Sequence, residues 1–386
     1  MLKDRSFLWL EGVFDDSTVN VFKSHSAASN FWQKGFIEAL RSFGASVDVV
    51  GYPAERAWPF GRLLVRKSEA ALLPGFAGAV TGYINLPIVR GSVQYHTLRN
   101  AALSILKTSE VKPDYSVVFS CLECADEQTP AIRLAKYIRE HYGVPWICMV
   151  ADGATPEGAD RYVYLPWSNF QSAAPGFEGI HLDGGIANVR RDLEPAYEKQ
   201  ERCGTRALMY MGALTEHGGV TELAHAFTSI NDKDVELWIC GRGANPELDR
   251  LAKKDHRIRL RGFVETDELD RLAKSAFAFV NPRPNSFAPN KLNYPSKLLH
   301  YLAYGKPVVS TFTEGMSPEY ADVLVRVENE TEAALTAAMH SILAIPRDAY
   351  DGICRRVECF NATHTWGYQV NRFLSWLEHG ERSELV

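Results

Sequence analysis

The densest run of chemically capable residues is Val280-Asn-Pro-Arg-Pro-Asn-Ser-Phe287, followed by Tyr294-Pro-Ser-Lys-Leu-Leu-His-Tyr-Leu-Ala-Tyr-Gly-Lys-Pro-Val-Val-Ser310. An apolar strand ending at Asn281 gives way to a polar loop with Arg283, Asn285 and Ser286. A helix then opens at Ser296 and Lys297, with His300 on the same turn, and stops at Gly305 before Pro307. A hydroxyl, an ammonium and the unpaired N–H groups of a helix start are all donors to an anion. A guanidinium fork matches phosphate oxygens. An ordinary capped helix would explain Ser296 alone, but not the whole string. The chemistry this set suits best is holding a phosphate.

Two earlier loops have related character. Gly212-Ala-Leu-Thr-Glu-His-Gly-Gly219 follows an apolar run and leads into a helix, so Gly212, Gly218 and Gly219 would let backbone approach a ligand. A plain tight turn would use the same glycines. Cys240-Gly-Arg-Gly-Ala-Asn-Pro246 begins like a dinucleotide fingerprint but lacks its third glycine, which disfavours a nicotinamide enzyme. Arg242 could reach a diphosphate; a surface salt bridge explains it equally well. His217 could face phosphate or be a loop histidine.

Positioning these loops requires strands ahead of them. Short apolar runs alternate with longer amphipathic stretches throughout the chain, the pattern of β-α units and parallel sheets. In the first half the strands are expected at Phe7 to Val13, Ser46 to Gly51, Tyr115 to Ser120, Trp146 to Val150, Tyr162 to Leu165 and His181 to Ile186. Helices are expected near Ser26 to Phe43, Tyr95 to Ser109 and Thr129 to Tyr142. In the second half strands are expected at Ala207 to Met211, Val235 to Cys240, Ile258 to Leu260, Ala276 to Val280 and Pro307 to Ser310. The helices between them fall near Gly218 to Ile230, Pro246 to Lys254, Glu265 to Lys274 and Ser296 to Tyr304.

The expected fold class is α/β, with two Rossmann-like domains facing across a cleft. Residues 1–190 are expected to form an N-terminal Rossmann-like domain and 191–205 a charged linker. Residues 206–364 are expected to form a C-terminal Rossmann-like domain, and 365–386 a helix packing back on the first domain. The chain's 386 residues, 46% of them hydrophobic, exceed one ordinary core and fit two. Ligands of such sheets bind at the carboxyl ends of the strands.

A net charge of -5 leaves no footprint for nucleic acid. Seven scattered cysteines suit reduced thiols in a cytoplasm. Cys121 and Cys124 have C-x-x-C spacing without a second pair, so no metal and no cofactor is expected. Glu11 interrupts the first apolar stretch, which reads as a strand and not a signal peptide. Ala70 to Val89 is twenty residues without charge, flanked by Arg62, Arg66, Lys67 and Arg90. Its prolines and glycines make a poor continuous helix. It reads as a loop and helix lining an acceptor cleft or as an interfacial segment; a true membrane span is the third reading. Peripheral membrane contact through 58–92 is therefore an expectation.

With these residues in view, the second half resembles the nucleotide-sugar domain of the family 4 retaining glycosyltransferases of GT-B fold. The similar strings, in order over about Ala207 to Ser310, are Tyr-Met-Gly-Ala-Leu with Gly-Gly, Leu-Trp-Ile-Cys-Gly-Arg-Gly, Leu-Arg-Gly-Phe-Val, Asn-Pro-Arg and Pro-Ser-Lys-Leu-Leu-His-Tyr-Leu-Ala-Tyr-Gly-Lys-Pro-Val-Val. The first half resembles the acceptor domain more loosely, through its alternation and Asp183-Gly-Gly-Ile186. The resemblance implies that Gly262, Phe263 and Val264 present backbone to a nucleobase, that Ser296 and Lys297 lie by diphosphate and ribose, and that Arg283 serves the donor. It implies a carboxylate near the reacting sugar at Asp152; a buried Asp capping a turn is the alternative. His300 stands where the family carries a ribose-binding Glu, and Leu292 where it carries another. Ala213 and His217 stand where Arg and Lys are frequent.

The implied function is transfer of a sugar from a nucleotide-diphosphate donor to a glycan, lipid-linked or small-molecule acceptor with retention, in polysaccharide or glycoconjugate biosynthesis in the cytoplasm. Arg242, Arg283, Lys297 and the amides of Gly218, Gly219 and Ser296 would stabilise the leaving diphosphate in place of a metal. Asn285 to Asn293 would select the sugar. The alternatives are a noncatalytic nucleotide- or glycan-binding partner of another transferase and a sugar-nucleotide epimerase.

Overall fold

The computed structural model describes residues 5–186 and 204–380, apart from Lys23, Glu123, Asn293 and Pro295. The expected linker therefore lies almost wholly outside the described residues. Contacts divide the chain into two units, Met1–Gly185 with Trp366–Val386, and Ile186–Thr365.

The first unit runs β1 (Ser6–Trp9), α1 (Asp16–Val21), α2 (Ala27–Ser42), β2 (Ser46–Gly51), β3 (Leu64–Val65), β4 (Ala77–Val80), β5 (Tyr83–Ile84), α3 (Arg90–Thr108), β6 (Tyr115–Leu122), α4 (Pro130–Tyr142), β7 (Trp146–Gly153), β8 (Arg161–Tyr164), α5 (Trp167–Gln171) and β9 (Gly179–His181). Seven of these strands form a parallel sheet in the order β4-β2-β1-β6-β7-β8-β9. Sheets covered on both faces need strands that are apolar on both sides. Val117 to Phe119 and Trp146 to Val150 meet this need, being buried without a break.

The uncharged stretch from Ala70 is not a loop and helix. It holds β4, which extends the sheet edge by pairing with β2, and β5, which pairs antiparallel with β3. Periodicity cannot resolve strands of two to four residues. Among the described residues no helix is long and apolar enough to cross a membrane.

The second unit runs β10 (Arg206–Met211), α6 (Val220–Thr228), β11 (Val235–Cys240), α7 (Pro246–Lys254), β12 (Ile258–Gly262), α8 (Thr266–Ser275), β13 (Ala278–Asn281), α9 (Lys297–Leu302), β14 (Val308–Ser310), β15 (Leu324–Arg326), α10 (Glu332–Leu343) and α11 (Arg347–Thr363). Its parallel sheet has the order β12-β11-β10-β13-β14-β15. Chain order reverses between β10 and β13. That switch point opens the crevice in which doubly wound sheets take ligands.

The last helix, α12 (Trp366–His379), belongs to the first unit and lies against α2. Trp32 and Phe36, one turn apart on α2, meet it with rings 5.4 Å from Trp366 and 5.1 Å from Phe373 respectively. Gly35 admits the Trp366 ring, since a Cβ there would lie 2.3 Å from it. Glycine to alanine inside a helix ordinarily stabilises by about 1 kcal/mol. Gly35→Ala is expected to do the opposite, costing roughly 1–3 kcal/mol through overpacking, read as a lower urea midpoint. A raised midpoint would mean that α12 does not seat here.

Candidate anion-binding site in the second unit

At the switch point, β10 ends in Met211 and β13 in Asn281. Tyr301, fully buried on α9, fixes the β10 end by accepting from the Met211 N–H at 3.0 Å and donating to its carbonyl at 2.7 Å. One turn earlier on the same helix, Lys297 is thereby directed to Gly212. Its Nζ stands where a Gly212 Cβ would be, 2.1 Å from that position, and donates to the Tyr210 hydroxyl at 3.3 Å. Tyr210 in turn donates to the Ala213 carbonyl at 2.8 Å.

Beyond Lys297 lies Arg283, only 8% exposed. Its Nε donates to Asn290 Oδ1 at 2.7 Å and its terminal nitrogen to His217 Nε2 at 2.6 Å. Fully buried Asn290 donates to the carbonyls of Pro284 at 2.6 Å and His217 at 3.3 Å, so it fixes the guanidinium to both loops at once. The structure thus gathers Gly212, Gly218, Arg283 and Lys297 with His217, Tyr210 and Asn290. Gly218 belongs because its Cα faces the Tyr210 hydroxyl, 2.3 Å from where a Cβ would be.

The electrostatics are those of a site short of negative charge. Burial, then the neighbouring Arg283, depresses Lys297 to about 8. Burial, then Arg283 and Lys297, depresses His217 to about 4. At neutral pH the imidazole is therefore uncharged, with Nε2 as the acceptor that Arg283 requires. Among the described residues no carboxylate pairs with Lys297.

Other expected donor groups are placed differently. The N–H groups of Gly218, Gly219 and Ser296 donate to Thr215, Glu216 and Tyr294 at 3.0, 2.9 and 2.9 Å, so these three amides are already engaged in turns. Ser296 is helical and its side chain caps nothing; α9 is six residues long, shorter than its pattern. Asn285 and Ser286 present their N–H groups to the Glu330 carboxylate, and Asn285 Nδ2 donates to Phe312 at 2.9 Å. That loop is thus held by a carboxylate, which those amides keep below its usual range.

Arg242 is neither in the cluster nor ion-paired in what is described of it. Its guanidinium lies 3.8 Å from the ring centroid of Phe263, an exposed aromatic. Gly262 ends β12 with a φ of 64° and leads through Phe263 into Val264. Arg242, Gly262 and Phe263 make a separate, exposed ledge, with Val264 half-buried beside it. His300 is exposed and stacks on Tyr304 at 6.0 Å. Leu292 is exposed as well.

Asp152 lies in the first unit, near the end of β7, in register with Cys121 on β6. Desolvation, then Asp152 and Glu11, push the Cys121 thiol up to about 12. Glu11 itself, just past β1, is raised by burial to about 7. Cys121 and Cys124 are free thiols, and no group of three or more metal-ligating side chains occurs among the described residues.

Two parallel, doubly wound units of this kind define the GT-B class of α/β proteins. Within it, residues 205–344, most of the second unit, match the family model Glycosyl transferases group 1. No curated protein matches the sequence. Solved structures similar in fold include a sucrose-phosphate synthase from Thermosynechococcus elongatus, with TM-score 0.65, 13% identity and coverage of 97% of this chain and 98% of that one. A glycosyltransferase from Rickettsia africae has TM-score 0.66, 12% identity and 97% coverage of each chain. Anabaena HepE, solved with UDP and glucose, has TM-score 0.59, 12% identity and coverage of 96% and 99%.

Proposed function

We propose that this protein transfers a sugar from a nucleoside-diphosphate donor whose phosphates lie against Lys297 and Arg283. The observation that carries this reading is the pair of desolvated cations at the β10/β13 crevice, one of them without a carboxylate partner among the described residues. A buried cation is costly unless something compensates it. A diphosphate is the compensation a group 1 glycosyltransferase domain would recruit. The same two charges would then stabilise the departing diphosphate, the largest electrostatic service available to a transferase. His217, neutral, orients Arg283 without subtracting from its charge.

The Arg242–Phe263 ledge offers a flat surface for a nucleobase, with the exposed backbone of Gly262 beside it. His300 replaces the carboxylate expected for a ribose, and its ring can donate or accept one hydrogen bond. Retention, family 4 chemistry, Asp152 as the carboxylate near the reacting sugar, and a glycan, lipid-linked or small-molecule acceptor complete the proposal. No metal has a role in it.

The test is a thermal-shift screen of UDP, GDP, TDP, ADP and CMP sugars, since a ligand that binds only the folded chain raises its melting temperature. The donor that binds is then incubated with and without candidate acceptors. Nucleoside diphosphate released only with an acceptor supports transfer. Donor isomerised without acceptor would make the protein an epimerase. Binding without either reaction would make it a noncatalytic partner.

A further inference from the structure

Eight of the fourteen large apolar side chains exposed by the described residues fall between Trp58 and Val89. Ile88 is 96% and Phe60 84% exposed, and Trp58, Leu64, Ile84 and Leu86 are each at least 40%. Isolated exposed apolar residues need no explanation, but a concentration of them within one short segment does.

The backbone shows that this exposure is built in. Strands β3 and β5 pair Leu64 with Ile84 and Val65 with Tyr83. Val65 and Tyr83 are buried with Phe22 in a small core of their own. Leu64 and Ile84 therefore occupy the outer face, where a half-buried antiparallel pair ordinarily carries polar residues. Asn85, fully buried, anchors the adjoining loop. Its Nδ2 donates to the Arg62 carbonyl at 2.8 Å, its N–H to Leu63 at 2.8 Å, and its carbonyl accepts from Trp58 at 3.1 Å. Trp58 and Phe60 are thus presented by a loop fastened from beneath.

Charge names the occupant. Between Glu55 and Arg90 there are five cations, Arg56, Arg62, Arg66, Lys67 and Arg90, against the carboxylates Glu55 and Glu69, in a chain of net charge -5. Arg62 approaches both carboxylates, at 3.8 and 3.6 Å. Among the described residues no ion pair engages Arg56, Arg66 or Lys67, all three exposed. Aromatic and aliphatic side chains beside basic ones suit an interface with anionic headgroups. A second copy of the same basic face would be repelled.

We propose that residues 56–90 dock this protein on an anionic lipid surface, with Trp58, Phe60 and Ile88 entering the interface and Arg56, Arg66 and Lys67 meeting lipid phosphates. This goes beyond sugar transfer and does not depend on it, because lipid binding is measured without donor or acceptor. It places the chain peripherally on a membrane and not through one.

The experiment is co-sedimentation of the full chain with vesicles of phosphatidylcholine alone and of phosphatidylcholine mixed with phosphatidylglycerol. The wild type is expected to pellet with the mixed vesicles and to be released by salt, which screens exposed charges. Each of Arg56→Gln, Arg66→Gln and Lys67→Gln is expected to weaken binding about fivefold. Phe60→Asp combined with Ile88→Asp is expected to abolish pelleting while leaving the melting temperature unchanged, because both side chains are already in water. Failure of the wild type to pellet, or pelleting of the double variant like wild type, overturns the proposal. So does concentration-dependent dimerisation by analytical ultracentrifugation that the same double variant removes.

Discussion

Lys297→Met is expected to weaken nucleotide-sugar binding by on the order of 100-fold while making the free protein more stable. The ammonium is held in a desolvated position against Gly212 and Tyr210, near a second cation. That arrangement costs folding energy in the free state, and a thioether of similar length can follow the same path without the charge. Breaking a buried charge–phosphate contact should lower affinity for the donor by on the order of 100-fold or more. Titration calorimetry with the donor found by screening measures the first effect and thermal melting the second. Unchanged affinity would remove Lys297 from the donor site.

The pH dependence has a definite sign. Lys297 is depressed to about 8 in the folded chain from an ordinary value of 10.5. Between those values the unfolded chain holds more protons, so this group makes folding more favourable as pH rises from 8 to 10.5. Donor affinity runs the other way. A diphosphate needs the ammonium, so affinity should fall by up to about tenfold per pH unit above 8. In Lys297→Met both slopes should flatten.

Arg283→Met is expected to lose donor binding and stability together. Its guanidinium is the partner of Asn290 Oδ1 and His217 Nε2, and Asn290 would keep a buried acceptor with nothing to receive. An unsatisfied buried polar group costs about 1–3 kcal/mol, so the melting temperature should drop by several degrees. The imidazole provides an independent readout. His217 is depressed to about 4 by burial first and then by Arg283 and Lys297. A histidine depressed on folding binds its proton more readily in the unfolded chain, so its contribution to stability is lost as pH falls from 6.5 to 4. Removing Arg283 should move the NMR titration of the His217 ring upward, towards 6.5. A titration that stays near 4 would show that burial acts alone and that the Arg283 contact is not formed.

The elements around this site were readable from sequence where they are long and punctuated. Val235–Cys240 and Pro246–Lys254 fall on their expected bounds, because a short apolar run stopped by Gly241 and an Asn-Pro helix start leave little freedom. What sequence did not supply was the traffic of hydrogen bonds. Nothing in a string shows that the Gly218, Gly219 and Ser296 amides close on their own turns. Glu330 reaches Asn285 and Ser286 from about 45 residues downstream, a distance at which no spacing rule operates. Asn290 lies in a polar loop and gives no sign of full burial, and Tyr210 reads as one more strand residue until its hydroxyl is found under Lys297. Glu11 registered only as an interruption of an apolar run, although burial makes it a carboxyl that titrates near neutrality.

The return of α12 to the first unit has a consequence for synthesis. The ring seat at Gly35 and Gly185 is filled by Trp366, which emerges from the ribosome only after the whole second unit has been made. Residues 186–365 form a continuous stretch able to fold as soon as they are released, whereas the first unit waits with part of its aromatic core open until the last helix arrives. Domains ordinarily fold from the N-terminus onward during translation. Here the unit begun first is completed last, and a chain terminated prematurely before Trp366 would carry a finished second unit and an unfinished first.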